Sequence, residues 1–390
     1  MPMPDLKSRS LIEKLISFDT TSRNPNLDLI NFVVSYLEDL GVSPMLVHNE
    51  ERTKANLYAT LGPQDMPGIM LSGHTDVVPV DGQAWDSDPW QVIEQDGKLF
   101  GRGTCDMKGF IAICLAYTPI FLERGLNTPI HLAFSYDEEI GCIGVQTLIE
   151  KMKHMPIKPA MCIVGEPTSM DVSLGHKGKR SYDITVRGLE CHSSLAPFGV
   201  NAVEFGADLI NYMTGMAKRF ADEGPFDEAY DVTYTTVHTG VISGGTALNI
   251  VPKECIIRCE FRNLAEHDPD SIIAEIETYA RETLEPRMHA VDPNTGIDVV
   301  EVTDAPGLNT AADAEVVTFV KSLAGRNNHI KVAFATEAGL FTERVGIPTV
   351  ICGPGSIEQA HKPNEYCSLE QLELCEQFMD RLVDSVCGES

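Results

Sequence analysis

The sequence predicts an α/β protein: a catalytic domain on a mixed, mostly parallel sheet flanked by helices, with an α+β domain of one sheet and two helices inserted into it. Three observations predict this. Strand-like apolar runs alternate with helical periodicities from about residue 55 to residue 165. Near Lys179 the pattern changes to strands that alternate polar and apolar residues. After the polar turn cluster "DPNTG", Asp292 to Gly296, the first style returns. The boundaries read from these changes are 1–180 and 294–390 for the first domain and 181–293 for the second.

Each element follows from local pattern. From Asp5 to Gly41 the spacing is helical, with Leu11, Leu15 and Ile16 on one face and Gly41 placed as a left-handed C-cap. "ANLYATL", "GIMLSGH", "PIHLAFSY" and "AMCIVG" read as strands, and Met107 to Arg124 and Val145 to Lys153 as the helices between them. The apolar run Phe110 to Leu122 is too short to span a bilayer and contains Pro119, which suits a core helix. In the inserted domain, "RSYDITVRG", "VTYTTVHTGVI" and "ECIIRCEFR" read as half-exposed strands, with helices at about Val200 to Phe220 and Ser271 to Leu284. "KVAFA", "IPTVICG" and a helix from Ser368 to Val386 complete the first domain.

Composition narrows the partners. The chain carries 30 Lys+Arg against 57 Asp+Glu, a net charge of −27, which disfavours nucleic acid and anionic membrane surfaces. Its 11 cysteines include no C-x-x-C pair, and Cys255 and Cys259 lie within a strand, so the reading is scattered reduced thiols. The N-terminal segment has charges in its first helical turns and no apolar core of a secretory signal, so the expected location is cytoplasmic.

The chemistry gathers at strand ends. His74 and Asp76 follow "GIMLSG"; Asp106 lies in "GRGTCDMKG" before a helix; Glu138 and Glu139 follow "HLAFSYD"; Glu166 follows "CIVG"; His361 follows "TVIC". In an open α/β sheet such ends converge. Packing that many carboxylates together is prohibitive unless cations neutralise them. Imidazole with carboxylate and no thiolate suits Zn, Mn or Co, and two ions fit better than one. With one carboxylate bridging, each ion takes one His and one terminal carboxylate, and one acid is left over as a general base. If Glu138 and Glu139 are extended, their side chains diverge, so one can bind metal while the other faces a cleft. Spacing leaves Asp76 either as a ligand or as the partner that orients the imidazole.

The motifs "SGHTDVVP", "GRGTCDMKG", "DEEIGCIG", "GEPT", "KGKRSYDITVRGLECHSSLAPFGVNA" and "IVP", in this order over nearly the whole chain, resemble the co-catalytic zinc deacylases and exopeptidases. That family includes acetylornithine deacetylases, succinyl-diaminopimelate desuccinylases, aminoacylases and glutamate carboxypeptidases. The resemblance implies five metal ligands: Asp106 bridging, His74 and Glu166 on one ion, Glu139 and His361 on the other. It implies Asp76 as the carboxylate behind His74, Glu138 as general base toward a hydroxide shared by the ions, and a cis peptide at Asp106–Met107. It further implies a homodimer whose inserted lid/dimerisation domain delivers His192 across the interface, with Asn249 and Arg262 on the substrate's carboxylate. "FATEAGLF" and "CGPGSIEQAHKPNEY" look like the acetylornithine deacetylases within that family. This subgroup likeness implies N2-acetyl-L-ornithine as substrate, arginine biosynthesis as setting, the backbone of Gly353 to Gly355 near the α-carboxylate, and Glu337 near the ornithine ammonium.

Plainer roles compete. His48, His131, His154, His176, His238, His267, His289 and His329 read as surface or core residues, with His176 set apart by its place at the domain junction. Asp137 and Asp171 read as turn carboxylates. The glycines of "GRGTCDMKG" form no phosphate loop, because no Lys-Ser pattern follows. A broader N-acyl-amino-acid deacylase, a desuccinylase or a dipeptidase fits the same residues, and a non-catalytic metal-stabilised scaffold is the alternative of another class. The leftover acid argues against a scaffold, which needs ligands but no base.

Overall fold

A computed structural model describes residues 6–388. The chain divides into two compact units, one running from the N-terminus to Gly175 with Leu308–Lys331 and Thr336 onward, the other comprising His176–Gly307 with Val332–Ala335.

The first unit is built on a nine-stranded mixed sheet. Its centre is parallel: Ile69–His74 lies between Ile130–Ser135 and Met161–Val164, and Thr349–Ile351 pairs parallel with the latter. Ala55–Leu61 and Met45–His48 extend one side as antiparallel strands. All six residues of Ile69–His74 and all six of Ile130–Ser135 are buried, as expected of strands covered on both faces. One cover is the Lys108–Arg124 helix, apolar around most of its circumference and continuous through Pro119. Gly165 makes its approach possible: a Cβ there would sit 2.1 Å from the Phe110 ring. The N-terminal region resolves into two helices, Arg9–Ile16 and Leu27–Asp39, and Leu369–Val386 closes the unit. The "KVAFA" strand is confined to Ile330–Val332.

The second unit is a four-stranded antiparallel sheet in the order Thr236–Gly244, Glu254–Arg262, Lys179–Arg187, Gly296–Ala305. Inward residues Tyr182, Ile184, Val186, Cys255, Ile257 and Phe261 pack with Leu209, Met213, Ile272 and Ile276 from the helices Ala202–Glu223 and Pro269–Tyr279. Both helices are started by local chemistry: Asn201 accepts the N–H of Val203 and Glu204, and Asp268 accepts that of Asp270 with Pro269 in the first turn. The helix expected to Leu284 passes at Ala280 into a π-turn and then Glu285–His289. Gly296–Ala305, placed beyond the boundary at 294 by the sequence reading, is an edge strand of this sheet, paired with Lys179–Arg187. The turn at Asp292–Gly296 therefore lies inside the second unit. Among the described residues, no helix is long and apolar enough to cross a membrane.

Candidate metal centre

The parallel centre of the sheet places the polar residues. His74 is the last residue of its strand and pairs with Ser135, so the Glu138–Glu139 segment leaves the sheet beside it. Glu166 emerges two residues after Met161–Val164, and the loop bearing His361 follows Thr349–Ile351. All leave from carboxyl ends of neighbouring parallel strands. Asp106 comes from the side, directly before the Lys108–Arg124 helix, and the Asp106–Met107 peptide is cis.

Asp106 lies between the two imidazoles. His74 Nε2 is 3.1 Å from its Oδ1, and His361 Nε2 is 3.2 Å from its Oδ2. His74 Nε2 is also 3.5 Å from Glu166 Oε1, and His361 Nε2 is 3.0 Å from Glu139 Oε2. Ligand atoms of His74, Glu138 and Glu166 lie within 4.8 Å of one another, as do those of His74, Asp106 and Glu139. The adjacent acids part at a turn, where the Gly141 and Cys142 N–H groups donate to the Glu138 carbonyl: Glu138 lies toward the His74–Glu166 side and Glu139 reaches His361 as well as His74.

Asp76 sits behind this cluster. Its backbone carbonyl is 2.9 Å from His74 Nδ1 and its Oδ1 3.5 Å from the same atom. Its Oδ1 also accepts the Glu138 N–H at 3.1 Å, and its Oδ2 accepts the Glu139 N–H at 3.3 Å and the Ser22 hydroxyl at 2.7 Å. With Nδ1 turned to Asp76, the Nε2 of His74 faces Asp106 and Glu166.

The electrostatics call for positive charge. Burial lifts Glu138 and Glu166 well above the usual carboxylate range, and neighbouring acids add to the rise. Burial and the charge of Asp106 push Glu139 up to about 7. Hydrogen bonds to Asp106 and Glu139 raise His361 to about 10. Burial opposes charge on His74, yet its bonds to Asp106 and Asp76 hold it well above the ordinary imidazole value. Protons here do what a divalent cation would do better. Glu139 Oε1 is buried with no hydrogen-bond partner, and the donor set is nitrogen and carboxylate oxygen, so these residues fit a pair of zinc-type ions.

The remaining expected residues fall elsewhere. Glu337, in the first unit, is fully buried with Oε1 unpartnered; burial raises it to about 7, and it interacts electrostatically with Glu138. The Gly353 N–H donates to Thr168 Oγ1 and the Gly355 N–H to Gln371 Oε1, each at 3.2 Å. Their role is packing, since a Cβ on Gly353 would lie 2.1 Å from the Gly165 carbonyl oxygen. His192, Asn249 and Arg262 belong to the second unit. His192 is exposed, with Nδ1 2.8 Å from Ser194 Oγ, and the Ser193 N–H donates to the Asn249 carbonyl at 2.9 Å. Arg262 ends its strand, with Nε 3.1 Å from Glu260 Oε1.

Sequence reasoning missed Ser22, Arg102 and Glu365. Ser22 is 54 positions from Asp76 and no local pattern marks it. Arg102 and Glu365 stand inside two of the quoted motifs, but a lone charge reads as solvated until its burial is known. Asp137, read as a turn acid, does occupy a left-handed turn at φ 55° and also pairs with Lys54 at 2.5 Å.

Comparison with known proteins accords with this geometry. The model of peptidase family M20/M25/M40 matches residues 70–385. An acetylornithine deacetylase of Myxococcus xanthus is 34% identical over 389 residues, covering 97% of both chains. Another, of Pasteurella multocida, is 32% identical over 373 residues, 95% of this chain and 94% of its own. The structure of an M20 family metallo-carboxypeptidase from Sulfolobus solfataricus superposes with a TM-score of 0.76 at 18% identity, over 98% of this chain and 99% of that one. With the family match running from the strand that carries His74 to the closing helix, the chain belongs to peptidase family M20/M25/M40.

Proposed function

We propose that the chain hydrolyses N2-acetyl-L-ornithine to L-ornithine and acetate in the cytoplasm, as a step of arginine biosynthesis, with two divalent ions, zinc or cobalt, at its centre. The observation that carries this reading is Asp106, with one carboxylate oxygen toward each of two imidazoles and a further carboxylate beyond each. The two acetylornithine deacetylases above, matched over nearly their full lengths, support the choice of substrate.

His74 and Glu166 would hold one ion and Glu139 and His361 the other, with Asp106 placed to reach both. When bound, such a pair lowers the pKa of water far below its bulk value, toward about 7, and polarises a carbonyl oxygen. The chain's own residues then handle protons and position. Glu138, made more basic by burial and ionised beside the cations the site would hold, takes a proton from the attacking water and returns it to the departing amine as the C–N bond breaks. Asp76 keeps the Glu138 and Glu139 peptides and the His74 ring in place. Glu337, a buried acid with an unpartnered oxygen, receives the substrate's ammonium.

A homodimer belongs to this reading, with His192 of a second copy donating to the reacting carbonyl. Support comes from the open sheet edge Thr236–Gly244, where Val241 and Ile242 are exposed, and from Leu195, Phe198 and Leu248, exposed nearby in sequence. Sedimentation of the purified chain tests the dimer, and a monomer with full activity refutes the role of His192.

The test of substrate is acetate release by the metal-loaded protein from N2-acetyl-L-ornithine, against N-acetylated neutral amino acids, N-succinyl-diaminopimelate and dipeptides. A kcat/KM for acetylornithine at least about tenfold above the others is expected, about 1.4 kcal/mol in transition-state binding. A better substrate elsewhere in the panel makes the chain a different member of the family. Inactivity throughout, with metal bound, leaves the scaffold.

A further inference from the structure

Beneath the metal centre lies a buried ion pair that the proposed chemistry does not use. Arg102 and Glu365 are both almost wholly buried, with Arg102 Nη1 2.6 Å from Glu365 Oε2. An ion pair in such a place is seldom the most stable filling, so its geometry deserves an explanation beyond stability.

The contacts of Glu365 all run to one loop. Its Oε1 accepts three backbone N–H groups, from Gly103 and Cys105 at 3.0 Å and from Asp106 itself at 3.1 Å. Its own carbonyl accepts the Gly101 N–H at 3.0 Å, continuing the pairing of Tyr366–Ser368 with Lys98–Phe100. One residue therefore fixes the segment that ends in the bridging carboxylate. Glu365 is also four residues beyond His361. The other arm of Arg102 reaches the same loop: Nη2 donates to Gln83 Oε1 at 2.6 Å, and Gln83 Nε2 donates to the His361 carbonyl at 3.2 Å.

The two sides of the centre differ in what holds them. His74 ends a strand paired on both sides, and Glu166 follows the neighbouring strand, so the sheet fixes that pair. His361 stands on a loop, half exposed, with left-handed φ of 60°, and Asn364 shares that conformation at 58°. Nothing in the sheet fixes His361 relative to Asp106. The Arg102–Glu365 pair does.

Resting on the two-metal reading above, we infer that Arg102 and Glu365 are positioning residues that set Asp106 against His361, and so govern affinity at the metal position of Asp106, Glu139 and His361 in preference to that of His74 and Glu166. Gln83 is the relay to His361.

The test is calorimetric titration of Zn2+ into metal-free protein. Wild type is expected to show two binding steps, and His361→Asn identifies the one that belongs to His361. Glu365→Gln keeps the size of the side chain but sets an amide N–H2 against donors; it is expected to weaken that same step about 10–100-fold and to change the other less than about threefold. Gln83→Leu, at a partly exposed position that tests the relay should Glu365→Gln not fold, is expected to weaken the same step by a smaller factor. Steps unchanged in both variants, or both steps falling together in parallel with the thermal midpoint of the metal-free protein, would overturn the inference. Uptake of fewer than two ions by wild type overturns the metal reading itself and this inference with it, an outcome distinct from an unaltered two-step curve in the variants.

Discussion

Asp76 accepts the backbone N–H of Glu138 at 3.1 Å on the same Oδ1 that faces His74 Nδ1 at 3.5 Å. One carboxylate therefore holds both the His74 imidazole and the Glu138 peptide. Burial works against its charge, but His74, Ser22 and the Glu138 N–H outweigh burial and keep Asp76 below the usual carboxylate range. Asp76→Asn sets an N–H2 against donors and is expected to lower metal affinity about 10–100-fold, measured by competition with a chromophoric chelator. Ser22→Ala removes one hydrogen bond, worth about 1 kcal/mol, and is expected to lower it about fivefold. Equal effects of the two changes would deny Asp76 its wider role.

Glu138 lies as close to the His74–Glu166 side as a ligand would, so its assignment as base needs a test that separates binding from turnover. Glu138→Gln is expected to retain two ions per chain by elemental analysis while kcat falls about 10²–10⁴-fold. An ion missing from the variant would make Glu138 a ligand and return the base to be found.

Glu337 supplies a negative or proton-sharing group with one oxygen unpaired, a costly state for a buried acid unless a ligand completes it. Glu337→Gln is expected to lower kcat/KM for N2-acetyl-L-ornithine about tenfold or more, while N-acetylated neutral amino acids of similar length lose at most about twofold. Unchanged preference between the two would remove Glu337 from substrate recognition and leave it as a neighbour of Glu138.

What could be read from sequence, and what could not, follows the range of the forces involved. The central strands and the Val145–Lys153 helix were legible because burial on both faces, or one amphipathic face, writes itself into local apolar spacing. His74, Glu138, Glu139, Glu166 and His361 were legible as a set because each stands at or beyond the end of a parallel strand, where such ends come together, whereas Asp106 enters from the side, before a helix. Gly296–Ala305 was assigned to the first domain because the polar turn cluster Asp292–Gly296 was taken as the boundary, whereas that turn only joins a helix to an edge strand of the same unit. The Gly353 N–H finds Thr168, 185 positions away, and the Gly355 N–H finds Gln371, 16 positions away, contacts that no local pattern announces. Ser22, Arg102 and Glu365 act through contacts 19 to 263 positions apart, and nothing local distinguishes them from solvated residues.

His131 shows how a residue with no part in the chemistry still shapes behaviour with pH. Its ring is buried in the sheet, stacked on Tyr58 with centroids 5.5 Å apart, its Nδ1 3.0 Å from Thr60 Oγ1. Burial lowers its pKa to about 4, against about 6.5 in an unfolded chain. Protons therefore bind the unfolded chain more readily: the neutral ring's contribution is complete above pH 6.5 and is lost as pH falls through that value toward 4, by up to about 3 kcal/mol. His131→Gln keeps a polar group near Thr60 but cannot titrate, so its stability in urea is expected to fall less steeply between pH 6.5 and 4 than that of wild type. The comparison is made on metal-free protein, where loss of bound ions at low pH adds nothing to the slope. His176, also buried and lowered to about 4, titrates in both proteins and cancels in the difference. Parallel slopes for the two proteins would mean that the His131 ring reaches water in the native state.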